Sequence, residues 1–170
     1  MASTSSSMLA LGTRLPVFSL PDAITGKTLS DQDFANAKAV LVMFICNHCP
    51  YVIHVRDELS RLAKDYEPQS VRVVAINANS STTHPQDGPD AMKRLAQEQG
   101  WGFPFLFDES QSVAKAFHAA CTPDFYLFDR SQKLVYRGQL DDSRPGNGIP
   151  VTGKDLRAAL DATLMDKPVS

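Results

Sequence analysis

Residues 39–52 read AVLVMFICNHCPYV, and this stretch decides the fold. Its first seven residues, 39–45, are all apolar and rich in β-formers, which is typical of a parallel strand covered on both faces. The pair Cys46 and Cys49 follows directly, and over residues 52–66 apolar side chains recur at helical spacing. The stretch therefore predicts a buried strand that leads through a cysteine pair into an amphipathic helix.

The cysteine pair lies at the turn between strand and helix, where backbone N–H groups and the helix dipole favour a negative charge. A thiolate in such a position has a lowered pKa. We therefore predict that Cys46, at the helix N-terminus, is the more exposed and more acidic thiol and attacks a substrate. Cys49, one turn into the helix, would then resolve the mixed disulfide. His48 between them would favour the thiolate further as an imidazolium, the alternative being a surface histidine without effect.

The segments outside this stretch alternate between strand and helix. Residues 71–76 form a second apolar run, so strand, helix and strand make a βαβ unit with parallel strands and a right-handed crossover. The later segments follow in the order helix 89–99, strand 103–107, helix 113–117, strands 125–128 and 134–137, and helix 156–164. This order predicts an α/β fold with a mixed central sheet flanked by helices.

Three loops should frame the cysteine pair, because the carboxyl ends of parallel strands meet at one edge of a sheet. Loop 77–88 follows the second strand and should overhang the cysteines. If strand 125–128 is antiparallel, residues 121–123 and loop 138–151 reach the same edge. Loops of this length often select the substrate, although a solvated surface loop is the alternative. The side chains that we expect to take part are His84, Asp141, Asp142 and Arg144.

Size and composition limit the function classes. The chain has 170 residues, which fits one domain, and we place that domain at 11–167 after a flexible Ser-rich tail at 1–10. The 17 basic and 19 acidic residues give a net charge of -2, which argues against a nucleic-acid partner. No apolar run is long enough to span a membrane. The N-terminus lacks the basic region of a secretory signal, so we expect a cytoplasmic protein whose three cysteines form no disulfide framework.

Residues 44–52, FICNHCPYV, resemble the motif of a peroxiredoxin-like branch of the thioredoxin superfamily. Residues 12–20, GTRLPVFSL, are similar to the opening of the alkyl hydroperoxide reductase and thiol-specific antioxidant group, and 103–108, 113–117 and 122–129 match its later landmarks. The resemblance implies a thioredoxin fold with a peroxiredoxin-like N-terminal extension and an inserted helix. Together with the cysteine pair between strand and helix, it leads us to expect a thiol–disulfide oxidoreductase that needs no cofactor and acts on protein or small-molecule thiols and disulfides.

The residues around the cysteines also receive roles from the resemblance. Pro123 is implied to be a cis-proline that faces the pair, and Thr122 is implied to offer its backbone to an extended substrate. Asn47 is expected to contact the substrate as well. Cys121 should lie near the pair, where it either forms an alternative disulfide or is a buried small side chain.

The chain departs from both groups of relatives at the cysteine pair. Peroxiredoxins carry a Thr or Ser three residues before the peroxidatic cysteine, and this chain has Cys46 there, which favours disulfide exchange. The alternative enzyme is a thiol peroxidase that reduces peroxides with Cys49 as the peroxidatic thiol. Thioredoxin also has a buried carboxylate under its second cysteine, whereas residues 40–45 contain no acid. The group that deprotonates Cys49 is therefore left unassigned.

A metal-binding or redox-sensing module is the alternative that is not an enzyme. Cys46 and Cys49 could act as ligands together with His48 or His54, and Cys121 could complete the set. Zinc prefers four ligands of this kind, or three and a water, and soft thiolates also suit Cu(I). No sequence feature sets the oligomeric state.

Overall fold

The structure, a computed structural model, describes residues 8–79, 87–119 and 122–169. Its elements in chain order are β1 (Ser19–Pro21), β2 (Thr28–Ser30), β3 (Ala39–Phe44), α1 (Pro50–Tyr66), β4 (Val71–Asn77), α2 (Pro89–Gln99), β5 (Phe105–Phe107), α3 (Ser112–Ala116), β6 (Asp124–Phe128), β7 (Leu134–Gly138) and α4 (Lys154–Leu164). Short 3-10 helices cover Asp31–Phe34 and Glu67–Gln69. None of the described helices has the combination of length and apolar character that crossing a membrane requires.

A five-stranded mixed sheet forms the centre, with the strand order β5-β4-β3-β6-β7. Strands β3, β4 and β5 run parallel, whereas β6 is antiparallel to β3 and β7 is antiparallel to β6. Strands β1 and β2 pair with each other outside this sheet. The predicted mixed central sheet and its βαβ unit are therefore confirmed.

The central strand β3 is buried on both faces, and its side chains alternate between two hydrophobic clusters. The odd-numbered residues of 39–43 pack into a cluster with α1, α2 and α4, and the even-numbered residues of 40–44 pack into one with α3 and the N-terminal segment. This alternation is the period of two that a strand requires. Because both faces are packed, the segment that follows β3 has a rigid base.

One edge of the sheet collects the carboxyl ends of β3 and β4, the start of β6 and the end of β7. Phe44 pairs with Ile76 of β4 and with Asp124 of β6, and Gly138 of β7 pairs with Phe125. The backbone segments beyond these residues are therefore neighbours, as the sequence predicts. Two sequence predictions at this edge, for His84 and Cys121, fall on residues outside the described ranges.

The segment before β1 packs against the connection between β6 and β7. The backbone N–H of Gly12 donates to the carbonyl of Leu134, and that of Leu15 donates to the carbonyl of Gln132. Leu9 and Leu15 are buried in the second hydrophobic cluster. The extension therefore covers the face of the sheet opposite α1, and Leu9 contributes to it from within the range predicted as a tail.

Candidate active site

The two cysteines lie on either side of a short connection between β3 and α1. The backbone N–H of Ile45 donates to the carbonyl of Ile76 at 3.0 Å, so the strand geometry continues up to Cys46. Helix α1 begins at Pro50, with Cys49 as its N-cap residue. The prediction that Cys46 occupies the helix N-terminus is therefore wrong. Proline is favoured at the first helical position, and it sets the start of the helix three residues later than expected.

Cys46 is also less exposed than predicted. Its relative exposure is 2%, whereas Cys49 is half-buried. Burial raises the pKa of Cys46 above its usual value; a hydrogen bond with the Thr122 hydroxyl acts against this, and the negative charge of Asp87 adds to it. The expectation that Cys46 is the more exposed thiol and has a lowered pKa is wrong, because desolvation and a neighbouring carboxylate outweigh the single stabilising hydroxyl.

Both sulfur atoms contact the residue that precedes the predicted cis-proline. The Sγ atom of Cys46 lies 3.4 Å from Oγ1 of Thr122, and the thiol of Cys49 points to the carbonyl oxygen of Thr122 at 3.5 Å. The peptide bond between Thr122 and Pro123 is cis, which confirms that prediction. The sheet edge therefore places the cysteine pair and the Thr122-Pro123 step against each other.

The ring of His48 lies against the carboxylate of Asp87, a residue that the sequence pattern does not single out. Its Nδ1 atom lies 2.5 Å from Oδ2 of Asp87. The His48 side chain is 33% exposed and the Asp87 side chain is fully buried. Asp87 also accepts hydrogen bonds from the backbone N–H of Asn47 at 2.6 Å and from the side chain of Asn79 at 3.0 Å. Asn47, predicted to contact the substrate, thus holds Asp87 through its backbone.

Asp87 is the buried carboxylate near the cysteines, and it does not lie on the strand before them, where thioredoxin would lead one to expect an acid. This residue lies just before α2, after loop residues that belong to no periodic pattern. Its one local signal is its position before Gly88 and Pro89, at the start of a helix. Its role depends on contacts across the sheet edge, which residue spacing does not encode.

Cys46, His48 and Asp87 offer ligand atoms that all lie within 4.8 Å of one another. His54, which the sequence analysis considered as a ligand, is not part of this cluster. Its Nε2 atom lies 2.7 Å from Oγ of Ser143, and that hydroxyl donates to the carbonyl of Ile149. Since the Ser143 proton is used in this way, His54 Nε2 is the donor. His54 therefore anchors the loop after β7 to α1.

Two cavities flank Thr122. One, of about 370 Å³, lies between the ends of β3 and β4 and helix α3. The other, of about 300 Å³, lies between Pro123, the first turn of α1 and the loop after β7. Asp141 and Arg144, two of the predicted substrate-selecting residues, line the second cavity. Asp142 is instead exposed and forms an ion pair with Lys154 at 2.9 Å.

Comparison with known proteins places the chain in a family. The Redoxin family model matches residues 10–159. No curated protein matches the chain.

Among solved structures, an uncharacterized conserved protein from Geobacillus kaustophilus is 56% identical, with a TM-score of 0.94 over 96% of this chain and 86% of that one. A hypothetical protein from Sinorhizobium meliloti 1021 is 50% identical, with a TM-score of 0.93 over 95% and 88%. A protein described as a thiol:disulfide interchange protein, DsbE, from Chlorobium tepidum is 23% identical, with a TM-score of 0.71 over 92% and 99%, which supports the thioredoxin fold alone. The chain therefore belongs to the Redoxin family, and it has the thioredoxin fold.

Proposed function

We propose that the protein is a thiol–disulfide oxidoreductase that uses Cys46 and Cys49 as a dithiol/disulfide couple. The observation that carries the proposal is the convergence of both sulfur atoms on Thr122, beside the cis peptide bond to Pro123. A substrate disulfide that lies along Thr122 is presented to both thiols. The Redoxin family membership supports a redox function of this general kind.

The exchange has two steps that move two electrons. In the first, a cysteine thiolate attacks one sulfur of the substrate disulfide; the substrate S–S bond breaks, and the leaving thiolate takes up a proton. In the second, the other cysteine attacks the enzyme sulfur of the mixed disulfide and releases the second substrate thiol. The substrate gains two electrons and two protons, and the enzyme is left with a Cys46–Cys49 disulfide. The same steps run backwards when the enzyme acts as an oxidant.

The exposure of the two sulfurs favours Cys49 as the thiol that meets the substrate and Cys46 as the one that resolves. This is the reverse of the order that the sequence predicts. Cys49 is half-buried at the N-cap of α1, and Cys46 lies behind it with little solvent access. A buried resolving thiol has the advantage that external disulfides reach it only through its partner.

A buried Cys46 with a raised pKa needs a base before it can attack the mixed disulfide. His48 is well placed for this role, because its ring lies within the same cluster of ligand atoms as the Cys46 sulfur. Asp87 accepts the Nδ1 proton of the ring, and this orients the imidazole and stabilises the imidazolium that forms. We assign the proton of Cys46 to His48, and we treat Asp87 as a positioning residue.

The proposed substrates are disulfides in proteins or small molecules. Each carries further groups on both sides of the reacting sulfur. The two cavities lie on opposite sides of Thr122 and could accept these groups. The second cavity is bounded by Tyr51 and Leu140, which supply apolar surface, and by His54 and Arg144, which supply polar groups. The cytoplasmic location remains a prediction from the sequence.

A thiol peroxidase is the second candidate, favoured by one observation. Cys49 is the more accessible thiol, and it lies at a helix N-terminus directly before Pro50. In this reaction the Cys49 thiolate attacks a peroxide oxygen, the O–O bond breaks, an alcohol leaves, and Cys49 becomes a sulfenic acid. Cys46 then condenses with it to give the disulfide and water. Against this candidate, Cys46 occupies the position three residues before Cys49, where peroxiredoxins carry a Thr or Ser hydroxyl.

The test is the redox equilibrium of the cysteine pair in glutathione buffers, followed by mass spectrometry of alkylated protein. We expect one reversible Cys46–Cys49 disulfide with a potential between about -270 and -120 mV, the range of thioredoxin-fold oxidoreductases. Cys46→Ser and Cys49→Ser variants should each show no intramolecular couple. Absence of a reversible couple in the unmodified protein would overturn the proposal. Consumption of hydroperoxide at a rate above that of disulfide reduction would favour the peroxidase instead.

A further inference from the structure

Cys46, His48 and Asp87 form a group of three different metal-ligating side chains at the end of β3. Their ligand atoms lie within 4.8 Å of one another, and two of the three side chains are buried. We propose that the reduced protein binds one Zn²⁺-class divalent ion through the Cys46 thiolate, a His48 ring nitrogen and the Asp87 carboxylate. A water molecule takes the fourth position.

The distances leave room for a tetrahedral ion after a small adjustment. Zinc lies about 2.3 Å from sulfur and about 2.0 to 2.2 Å from nitrogen and oxygen, so its ligand atoms are about 3.3 to 3.7 Å apart. The Nδ1 atom of His48 and Oδ2 of Asp87 are closer than this, at 2.5 Å. An ion bound between them therefore requires the two groups to move apart by somewhat under 1 Å.

The environment of Asp87 fits a ligand that stays in place while His48 moves. Its carboxylate is held by the backbone N–H of Asn47 and by the side chain of Asn79. Metal-bound carboxylates typically carry outer hydrogen bonds of this kind. The His48 ring is one third exposed, so it can withdraw toward solvent, and the ion has a route of access on the same side.

The donor set selects the class of metal. A thiolate and an imidazole exclude Mg²⁺ and Ca²⁺, which prefer oxygen ligands throughout. A carboxylate as the third ligand disfavours Cu(I), which prefers soft sulfur. One sulfur, one nitrogen and one oxygen with an open position suit Zn²⁺, and Co²⁺ substitutes for it as a coloured probe. Oxidation of Cys46 to a disulfide would remove the thiolate, so only the reduced protein should bind.

The experiment is an anaerobic Co²⁺ titration of reduced, tag-free protein, followed by Zn²⁺ competition with a chromophoric chelator. We expect one Co²⁺ per chain, a thiolate-to-cobalt charge-transfer band, and displacement by Zn²⁺. Asp87→Asn and His48→Gln should each weaken binding about tenfold or more. Asp90→Asn and His118→Gln, which alter exposed residues, are the matched controls and should bind as the unmodified protein does.

Cys49→Ser distinguishes this site from a simple chelate of the two cysteines. The proposal expects Cys49→Ser to retain the charge-transfer band and Cys46→Ser to lose it. Loss of binding in Cys49→Ser together with unchanged binding in Asp87→Asn and His48→Gln would overturn the proposal, and so would the absence of any Co²⁺ spectrum in the unmodified protein. If Asp87→Asn does not fold, His48→Gln still provides the test, because its side chain is partly exposed. The titration measures no redox activity, so its outcome is independent of the proposed oxidoreductase function.

Discussion

The imidazole of His48 rests on the carboxylate of Asp87, with 2.5 Å between Nδ1 and Oδ2. The carboxylate is buried and takes its other hydrogen bonds from the backbone of Asn47 and the side chain of Asn79. A ring held in this way presents one fixed orientation to the neighbouring Cys46. The fixed orientation should speed the transfer of the Cys46 proton, and the rate of thiol–disulfide exchange measures this effect directly.

Substitution of Asp87 or His48 should slow the resolving step. We expect Asp87→Asn and His48→Gln each to reduce the single-turnover rate by roughly a hundredfold at neutral pH, the size of a general-base contribution. The double variant should be little slower than either single variant, because the two residues act as one unit. Rapid-quench measurement of substrate thiol release provides the rate, with Asp90→Asn as the control.

The pH profile separates this role from a purely structural one. The pKa of Cys46 is raised, mainly by burial, so its thiolate fraction rises only at alkaline pH. The single-turnover rates of Asp87→Asn and His48→Gln should therefore approach that of the unmodified protein as the pH increases, since the Cys46 thiol then loses its proton without a base. A rate deficit of constant size across the pH range would contradict the assignment.

Alkylation should identify the accessible thiol. Reduced protein treated with iodoacetamide should be modified at Cys49 before Cys46, by about tenfold in rate, because reactivity follows thiolate character and access. Peptide mapping of samples quenched at successive times gives both rates. In denaturant the two rates should converge. Faster modification of Cys46 in the folded protein would restore the order that the sequence predicts, with Cys46 as the attacking thiol.

Gly153 should be intolerant of a side chain because of a buried ion pair. Its φ is +72°, and a Cβ atom there would come within 2.5 Å of Oε2 of Glu58. The Glu58 carboxylate is buried and forms an ion pair with Arg157, so it is not free to move away. We expect Gly153→Ala to lower the free energy of unfolding by about 2 to 4 kcal/mol. Gly146 has a φ of +82° and open space around it, so Gly146→Ala should cost only the backbone strain, about 1 to 2 kcal/mol. Urea unfolding measures both, and equal losses would rule out the clash.

Asp124 should make stability depend on pH. Burial raises the pKa of its carboxyl above the usual 3.8, and a hydrogen bond from Tyr126 only partly offsets this. Because the pKa of Asp124 is higher in the folded state than in the unfolded state, this carboxyl stabilises the folded protein fully below pH 3.8. That stabilisation is lost as the pH rises through the pKa of the folded state. Asp124→Asn removes this loss and keeps an acceptor for Tyr126. Its Tm should therefore exceed that of the unmodified protein by a few degrees at pH 7 and by less near pH 4, and a difference independent of pH would contradict the prediction.

The sheet and its helices were predictable because they depend on local patterns. Residues 39–45 are apolar without interruption, as a strand covered on both faces requires, and residues 52–66 repeat with the period of a helix. Once two parallel strands are recognised, the rule that their carboxyl ends meet places the cysteines and residues 122–123 at one edge. The cis peptide bond before Pro123 followed from the family resemblance rather than from the pattern.

The environment of the thiols was not predictable because it depends on distant residues. Thr122 contacts Cys46 across 76 positions of sequence, and Asp87 reaches the backbone of Asn47 across 40. Burial and the negative charge of Asp87 raise the pKa of Cys46, and the hydrogen bond with the Thr122 hydroxyl only partly offsets this. The net effect is opposite to the one expected from a helix terminus alone. Residue spacing indicates the two sulfur atoms that we propose to react, and tertiary contacts decide how exposed each of them is.

Strand β3 is paired along both edges and covered on both faces, so its amide hydrogens should exchange with solvent only when the whole molecule unfolds. The residues after β7 lie outside the sheet. They are held by backbone hydrogen bonds to the buried Asp141 carboxylate and, through Ser143, by His54 of α1. Gradual heating should therefore release the walls of the second cavity first. The protein would then lose its discrimination among substrates while its sulfur atoms could still be oxidised and reduced.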